Sequence, residues 1–396
     1  MQRKGDAGNI KTFFTLLKAF IGTGILFLPK AFNNGGILFS SITLVTVSLV
    51  TTFCFRLLLQ CKQQYNGGYG EIGGAIGGKW LKATILGSIT LSQIGFVCAG
   101  IIFCAQNLHS FAVAVAKGPE PISAAVLIAL QVIVLIPLAL IRNISKLGGA
   151  ALLADVCIAI GLTYIYYYTI SSIKSDGMPS SVVLFNPDHF TLTVGSAIFT
   201  FEGIGLLLPI QDSMAHPEKF STLLYVVMGL ITVVFTAVGA LAYAAFGTDT
   251  KIEIISNFPQ DSKLVNAVQF LYSFAVLVGT PVQLFPPVRI LEGQIFGRFT
   301  GKKDMATKWK KNAFRTGMVV LCALIAWAGM NDLDKFVALI GSFACIPLVY
   351  IYPPLLHYKA MATTRAVQWG DLAMMLVGVA AMIYTTAVTI SQWAQE

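Results

Sequence analysis

Apolar stretches of about twenty residues recur along almost the whole chain, and they constrain its fold more than any other feature. Of 396 residues, 56% are hydrophobic and only 11% are charged, whereas charged residues make up about a quarter of soluble domains. The apolar runs show none of the period-two alternation that is typical of a membrane β-barrel. The sequence therefore predicts an all-α integral membrane protein.

Eleven helices are predicted to span the membrane, with bounds that are good to about four residues. They lie near residues 10–30, 36–60, 83–112, 121–141, 147–172, 190–211, 220–246, 263–288, 313–330, 334–356 and 370–392. The first apolar run continues too far for a cleavable signal peptide and is expected to remain in the protein. Because eleven is an odd number, the two termini are expected on opposite sides of the membrane.

Lysine and arginine predict which side is cytosolic. With the N-terminus in the cytosol, about twenty of them fall in cytosolic segments, and only a few fall on the other side. The C-terminus is then on the opposite side, and topology explains the net charge of +9. We interpret the basic cluster at 298–315 as an ordinary positive-inside loop; a dedicated site for lipid headgroups is the alternative. The sequon Asn143-Ile144-Ser145 is predicted to be cytosolic and unmodified.

Two of the apolar segments are interrupted by glycine in the same manner. The first reads IGTGILFLP, from Ile21 to Pro29, and the second reads FEGIGLLLP, from Phe201 to Pro209. Unwound backbone inside a membrane is tolerated only around a cavity, and a matched pair of interrupted spans points to the substrate site of a secondary transporter. The alternative is close helix packing, which small residues in spans allow.

Backbone groups at the two breaks predict a site for an amino acid. Helix ends leave amides with partial positive charge and carbonyls with partial negative charge, which suit a carboxylate and an ammonium group. Gln93, in the third span, is either a pocket-facing polar residue or a structural hydrogen-bonding residue. The predicted substrate-binding residues are Ile21, Gly22, Thr23, Gly24, Phe201, Glu202, Gly203, Ile204, Gly205 and Gln93.

Charged residues inside the predicted spans are candidates for proton coupling or gating, because a charge near the bilayer centre is costly. Glu202 lies at the second break. It either takes up a proton, since burial favours its neutral form, or stays ionised and caps nearby backbone amides. Lys18 and Asp155 lie at similar predicted depths and form a hypothetical ion pair of an inner gate; alternatively, Lys18 extends to the headgroups.

The eighth span holds candidate residues for an ion site or a structural site, Ser273 and Thr280, and ends in an irregular stretch, Gly279–Pro287. A hard cation needs several oxygen ligands, and Thr280 has no adjacent hydroxyl residue. A proton is therefore favoured over sodium as the coupling ion. No metal or cofactor is expected: the cysteines and histidines lack ligand spacing, and the Gly68-x-Gly70-x-x-Gly73 run, interpreted as a loop, lacks the strand–turn–helix context of a dinucleotide site.

Longer stretches of the chain resemble a known family. These are KAFIGTGILFLPKAFNNGG, FEGIGLLLPIQDSM, GTPVQLFP and GSFACIPLVYIYPPLLH, and the resemblance to the amino acid/auxin permease family, in particular its fungal vacuolar amino acid transporters, covers nearly the whole chain. The fungal members usually carry a long hydrophilic N-terminal region, whereas about ten residues precede the first predicted span here.

The resemblance implies eleven helices in the inverted-repeat (5+5) architecture of the leucine transporter, with broken first and sixth helices. We therefore expect one transmembrane domain over residues 1–396, with repeats near 10–172 and 190–356 and an extra last helix near 370–392. The implied function is proton-coupled export of neutral amino acids from an acidic vacuolar or lysosomal lumen. A sensor without useful turnover and a sodium-coupled importer of the plasma membrane are the rivals. An enzyme is not expected, because no nucleophile, base and orienting group stand at related positions.

Overall fold

Most of the described residues are helical; in this computed structural model the described residues are 7–21, 23–116, 122–142, 148–297 and 304–394. Within these ranges, nine helices are long and apolar enough to cross a membrane, and there are ten if a bent pair near the N-terminus counts as one span. The predicted fourth span corresponds to the shorter apolar helix Ala124–Ala139. The prediction of an all-α membrane protein is confirmed. The sequon and the start of the 298–315 cluster lie outside the described residues.

Fourteen α-helices are described, and the bounds of most predicted spans lie close to those of a helix. They are α1 (Asn9–Phe20), α2 (Leu28–Gly35), α3 (Ile37–Gln64), α4 (Tyr69–Ala116), α5 (Ala124–Ala139), α6 (Gly148–Asp176), α7 (Phe190–Thr200), α8 (Ile204–Asp212), α9 (Phe220–Phe246), α10 (Lys263–Phe296), α11 (Met305–Gly329), α12 (Leu333–Ile340), α13 (Tyr352–Ala360) and α14 (Arg365–Ala394). Two π-helical stretches, Gly341–Cys345 and Pro347–Ile351, lie between α12 and α13.

The chain forms two compact units, each with segments from both halves of the sequence. Unit 1 comprises Met1–Ile89, Ser180–Tyr243 and Ala338–Glu396, and unit 2 comprises Thr90–Pro179 and Ala244–Val337. The division into an N-terminal and a C-terminal repeat stays a prediction.

Unit 1 is built around α2, α3, α7, α13 and α14, which pack against one another. Its core is rich in phenylalanine, with ring contacts that join α1 to α3 and Phe27, just before α2, to α7. Buried hydroxyls are satisfied across helices: Thr51 and Tyr350 share a hydrogen bond of 2.6 Å, and the Tyr69 hydroxyl donates to the Leu348 carbonyl at 2.7 Å. These bonds hold α3 and α4 to the π-helical segment, because a buried polar group without a partner is costly.

Unit 2 is built around α5, α6, α10 and α11. The Tyr272 ring of α10 lies directly against Gly161 of α6, where a Cβ would overlap it. The fully buried Arg315 of α11 forms a 2.7 Å ion pair with Glu292 of α10. Arg315 also donates to the carbonyls of Ala139 and Ile141 at the end of α5, at 3.0 and 3.2 Å. One side chain thus joins three helices.

The interpretation of residues 67–78 as a flexible loop is wrong. Most of this segment is helical and forms the first part of α4, which bends at Gly78, a residue with φ 78°. The glycines serve close packing, because a Cβ at Gly70 would lie 2.7 Å from a methyl group of Leu86 in the second part of α4. Glycine is needed at position 78, where φ is positive, and at position 70, where the two parts of α4 are in contact.

The eighth span is also more regular than expected. The helix α10 continues through Pro281, Pro286 and Pro287 and ends only at Phe296, beyond the predicted end near residue 288. Proline is tolerated inside membrane helices, where neighbouring groups satisfy the backbone that it frees. The helix of the ninth predicted span, α11, begins earlier than predicted, at Met305. Asp304 caps it by accepting hydrogen bonds from the amides of Ala306 and Thr307.

Candidate functional site

The first predicted break is present in the structure. The helix α1 ends at Phe20, and Ile21 leaves the helical conformation with φ −78° and ψ 76°. A 3-10 helix, Thr23–Phe27, then leads into α2, and the chain bends by 42° between the helical segments on either side. Gly22 lies outside the described residues, so its predicted role in substrate binding stays a prediction, as does that of the Thr23 side chain.

The second predicted break is also present. The helix α7 ends at Thr200, the three non-helical residues Phe201, Glu202 and Gly203 follow, and α8 begins at Ile204. The end of α7 leaves carbonyls with partial negative charge, and the start of α8 leaves amides with partial positive charge. The two ends belong to one interrupted span, Phe190–Asp212, which is largely buried. An ammonium group fits the first end, and a carboxylate fits the second.

The two breaks lie against each other within unit 1. The Thr200 hydroxyl at the end of α7 donates to the Gly24 carbonyl at 3.2 Å and to the Ser196 carbonyl at 2.8 Å. A Cβ at Gly24 would lie 3.0 Å from the Thr200 Cα. On the other side of the breaks, a Cβ at Gly203 would lie 2.5 Å from the Phe20 ring. The pairing that the repeated motif predicted is therefore a direct contact, and close packing is part of its role.

The glycines of the two motifs differ in their surroundings. Gly24 and Gly203 each contact the other broken helix, whereas a Cβ at Gly205 would have no atom within 4 Å. Phe201 and Ile204 are fully buried next to them. Packing thus accounts for two of the glycines, and Gly205 has open space beside it.

Glu202 lies between the end of α7 and the start of α8. It is 8% exposed, and its carboxyl group lies near the backbone amides of Ile204 and Gly205. These amides belong to the first turn of α8 and have no partner within the helix. The capping role that the sequence left open for Glu202 therefore has a matching geometry. Its role in proton coupling is untested.

The hydroxyls of the eighth span bind their own helix. Ser273 and Thr280 are both buried, and they donate to the carbonyls of Gln269 and Val276, at 2.9 and 2.8 Å. This bonding to the preceding turn is a structural use of a hydroxyl. A Cβ at Gly100 of α4 would lie 3.6 Å from the Thr280 hydroxyl, so this stretch also packs closely against α4.

The remaining predicted residues lie outside the two breaks. Lys18 is an exposed residue of α1, two residues before the first break, and belongs to unit 1. Asp155 on α6 and Gln93 on α4 are half-buried residues of unit 2. The Lys18–Asp155 ion pair and the pocket role of Gln93 stay predictions.

Two features of the tenth span were missed by the sequence interpretation. Gly341 begins a π-helical stretch, and a Cβ there would overlap the carbonyl oxygen of Gly195 on α7. Stretches of π-helix occur often at functional sites. Gly341 lies in one of the segments that carry the family resemblance, but the sequence interpretation gave it no role. No local sequence pattern indicates that Gly195 and Gly341 are in contact.

A buried hydrogen bond between side chains was missed as well. His357 on α13 and Asp371 on α14 are 7% and 3% exposed, and their side chains lie 2.7 Å apart. The two residues fall at the ends of two adjacent spans, so their separation in sequence gave no reason to pair them. The contact joins α14 to α13.

Comparison with curated proteins gives relatives over almost the whole chain. Vacuolar amino acid transporter 3 of Saccharomyces cerevisiae is 49% identical over 98% of this chain, and its namesake from Schizosaccharomyces pombe is 44% identical over 98%. The chain spans 57% and 59% of the length of these two relatives. Amino acid transporter AVT3C of Arabidopsis thaliana is 27% identical over 98% of this chain and 91% of its own length.

Solved structures share the fold at low sequence identity. MhsT in complex with L-phenylalanine aligns with a TM-score of 0.59 and 11% identity, over 98% of this chain and all of the other. The inward-facing conformation of Mhp1 aligns with a TM-score of 0.63 and 13% identity, over 99% of this chain and 92% of the other. The expectation of a leucine-transporter-like fold is confirmed.

The family model described as "Transmembrane amino acid transporter protein" matches residues 5–391. This range contains both broken helices and all the predicted site residues. The contact between the breaks, the fold and this match lead to one conclusion: the chain belongs to the family of transmembrane amino acid transporter proteins.

Proposed function

We propose that this chain is the transport domain of a secondary transporter that exports neutral amino acids from the vacuolar lumen to the cytosol together with protons. The names of the yeast relatives support amino acids as the substrate and the vacuolar membrane as the location. The observation that carries the proposal is the contact of the two broken helices through Thr200, Gly24, Gly203 and Phe20. An interrupted pair of helices at the membrane midplane is where secondary transporters bind substrate.

Backbone groups hold the two charges of the amino acid. The carbonyls at the end of α7, around Phe201, receive the ammonium group, and the amides at the first break and at the start of α8 receive the carboxylate. Alternating access then exposes the site to the lumen and to the cytosol in turn.

Glu202 couples the proton to the substrate by competition for amides. In its ionised form, it occupies the amides of Ile204 and Gly205, which a substrate carboxylate also needs. When Glu202 takes up a proton, its hold on these amides weakens, because a hydrogen bond to a charged acceptor is stronger than one to a neutral acceptor. Proton and substrate therefore favour each other's binding, and by linkage the effect is reciprocal.

Uptake of labelled neutral amino acids into proteoliposomes, with and without an imposed pH gradient, tests the proposal. We expect the wild type to respond to the gradient and Glu202→Gln to transport without that response, because glutamine keeps an oxygen for the amides but cannot titrate. Glu218→Gln removes an exposed carboxylate of the same type and serves as the control. A Glu202→Gln variant that responds like the wild type would leave Glu202 with a capping role only.

The same preparation distinguishes the rivals. Flux that requires sodium and ignores the pH gradient would contradict proton coupling and favour a sodium-coupled importer. Substrate binding without any flux would contradict transport and favour a sensor.

A further inference from the structure

A surface groove lies where the last two spans are joined. It has a volume of about 240 Å³ and is lined by Tyr358, Arg365, Gln368, Trp369 and Leu372. We call it the α13–α14 groove. Its residues all belong to unit 1 and take no part in the broken helices. The groove is therefore separate in the chain from the proposed substrate site.

The groove lies at the level of the lipid headgroups. One candidate span, Leu333–Ala360, ends beside it, and the next, Arg365–Ala394, begins beside it. Only residues 361–364 join the two spans, so their ends lie at the boundary of the hydrocarbon layer. The Gln368 amide holds this turn by donating to the Ala362 carbonyl at 3.3 Å.

The lining residues have the chemistry of an interfacial site for an anion. Arg365 is exposed, and the planar guanidinium group binds phosphate oxygens in pairs. Tyr358 and Trp369 are 40% and 68% exposed, and such aromatic residues are enriched at membrane interfaces. Leu372 adds an apolar contact. The groove thus offers a cation for a phosphate group and apolar surface for the adjoining glycerol and acyl region.

The charges around the groove favour an anion. None of its five lining residues is acidic. Asp371 is next to Leu372 in sequence, but it is buried against His357. Lys359 is exposed on the same turn. The distribution of lysine and arginine predicts that this turn is cytosolic, and the cytosolic leaflet carries the anionic lipids.

We propose that the α13–α14 groove binds the phosphate group of an anionic lipid of the cytosolic leaflet. Arg365 contacts the phosphate, and Trp369 and Tyr358 lie along the lipid backbone. A soluble phosphate compound carries the same phosphate chemistry, and the experiment separates these two sources.

The test measures binding of a fluorescent phosphatidylinositol phosphate to the purified full chain in detergent. We expect Arg365→Gln to weaken binding about fivefold, which is the effect of one cationic residue near an anionic lipid surface. Arg365→Lys should lose less affinity than Arg365→Gln, because it keeps the charge but not the paired hydrogen bonds of the guanidinium group, and Trp369→Ala should also bind more weakly. Arg56→Gln and Trp309→Ala are matched controls: Arg56 is exposed, and Trp309 is 67% exposed. Both should bind like the wild type.

Competition identifies the source of the phosphate. Phosphatidylcholine and inorganic phosphate should each displace the labelled lipid poorly. Equal displacement by inorganic phosphate would show that the ligand is a soluble phosphate, which would overturn the proposal. Unchanged binding in both Arg365→Gln and Trp369→Ala would overturn it as well. The measurement contains no transport step, so its result is independent of the proposed function.

Discussion

At the scale of single residues, glycines with the same sequence signature have different roles. Gly203 and Gly205 lie two positions apart in one motif, yet a Cβ would overlap the Phe20 ring at the first and would meet no atom at the second. The sequence predicted both as part of a break. Which of them permits helix contact depends on the position of a ring that is about 180 residues away in the chain.

Gly203→Ala is expected to lower stability, because the Phe20 ring has to move away from the new methyl group. Overpacking of this kind costs about 1–3 kcal/mol, and Gly205→Ala should cost little, since a substitution without such a feature is usually within about 0.5 kcal/mol. The melting temperatures of both variants in detergent measure the difference. Equal melting temperatures would contradict the packing role of Gly203.

At the scale of helices, buried charges join elements that the sequence shows as separate spans. Arg315, with 1% of its side chain exposed, is paired with Glu292, with 5% exposed. Its guanidinium group also donates hydrogen bonds to two backbone carbonyls at the end of α5. From the sequence, Arg315 was counted among the cytosolic basic residues, because charge alone does not distinguish a residue at a headgroup from a residue that holds three helices together.

Arg315→Leu should be strongly destabilising, because it leaves Glu292 buried without its cation. Removing one partner of a buried ion pair costs about 3–5 kcal/mol, whereas apolar replacement of both partners is often tolerated. The double variant Arg315→Leu/Glu292→Leu should therefore melt at a higher temperature than Arg315→Leu alone. Lys310→Leu replaces an exposed cation on the same helix and should have little effect. A double variant less stable than Arg315→Leu would contradict this account.

At the scale of the whole molecule, the charge pattern predicts topology. The segment with Trp80 is expected in the cytosol, and the segment with Met178 is expected in the lumen. These side chains are 86% and 64% exposed, and the seven native cysteines are all buried. Introduced cysteines at the two positions can therefore be labelled over a low background.

Trp80→Cys should react with a membrane-impermeant thiol reagent from the cytosolic side only, and Met178→Cys from the lumenal side only. Intact and permeabilised vacuolar vesicles distinguish the two sides, and the unsubstituted chain is the control. Labelling of both positions from one side would contradict the predicted topology, and with it the cytosolic position of the α13–α14 groove.

The sequence by itself determined the class of fold, the approximate positions of the spans and the two broken helices. These features are local: about twenty apolar residues are long enough to cross a bilayer, and the two glycines of a Gly-x-Gly motif weaken the helix in which they lie. The resemblance of several segments to one family then indicated the architecture, which the solved structures share.

Only the tertiary structure decided which residues meet. The Thr200–Gly24 bond, the Gly195–Gly341 contact and the Arg315–Glu292 and His357–Asp371 pairs all join residues from different helices. The rotation of each helix about its own axis fixes such contacts, and an all-round apolar membrane helix carries little periodicity from which to predict that rotation. The sequence therefore did not determine which residues of different helices pack against each other.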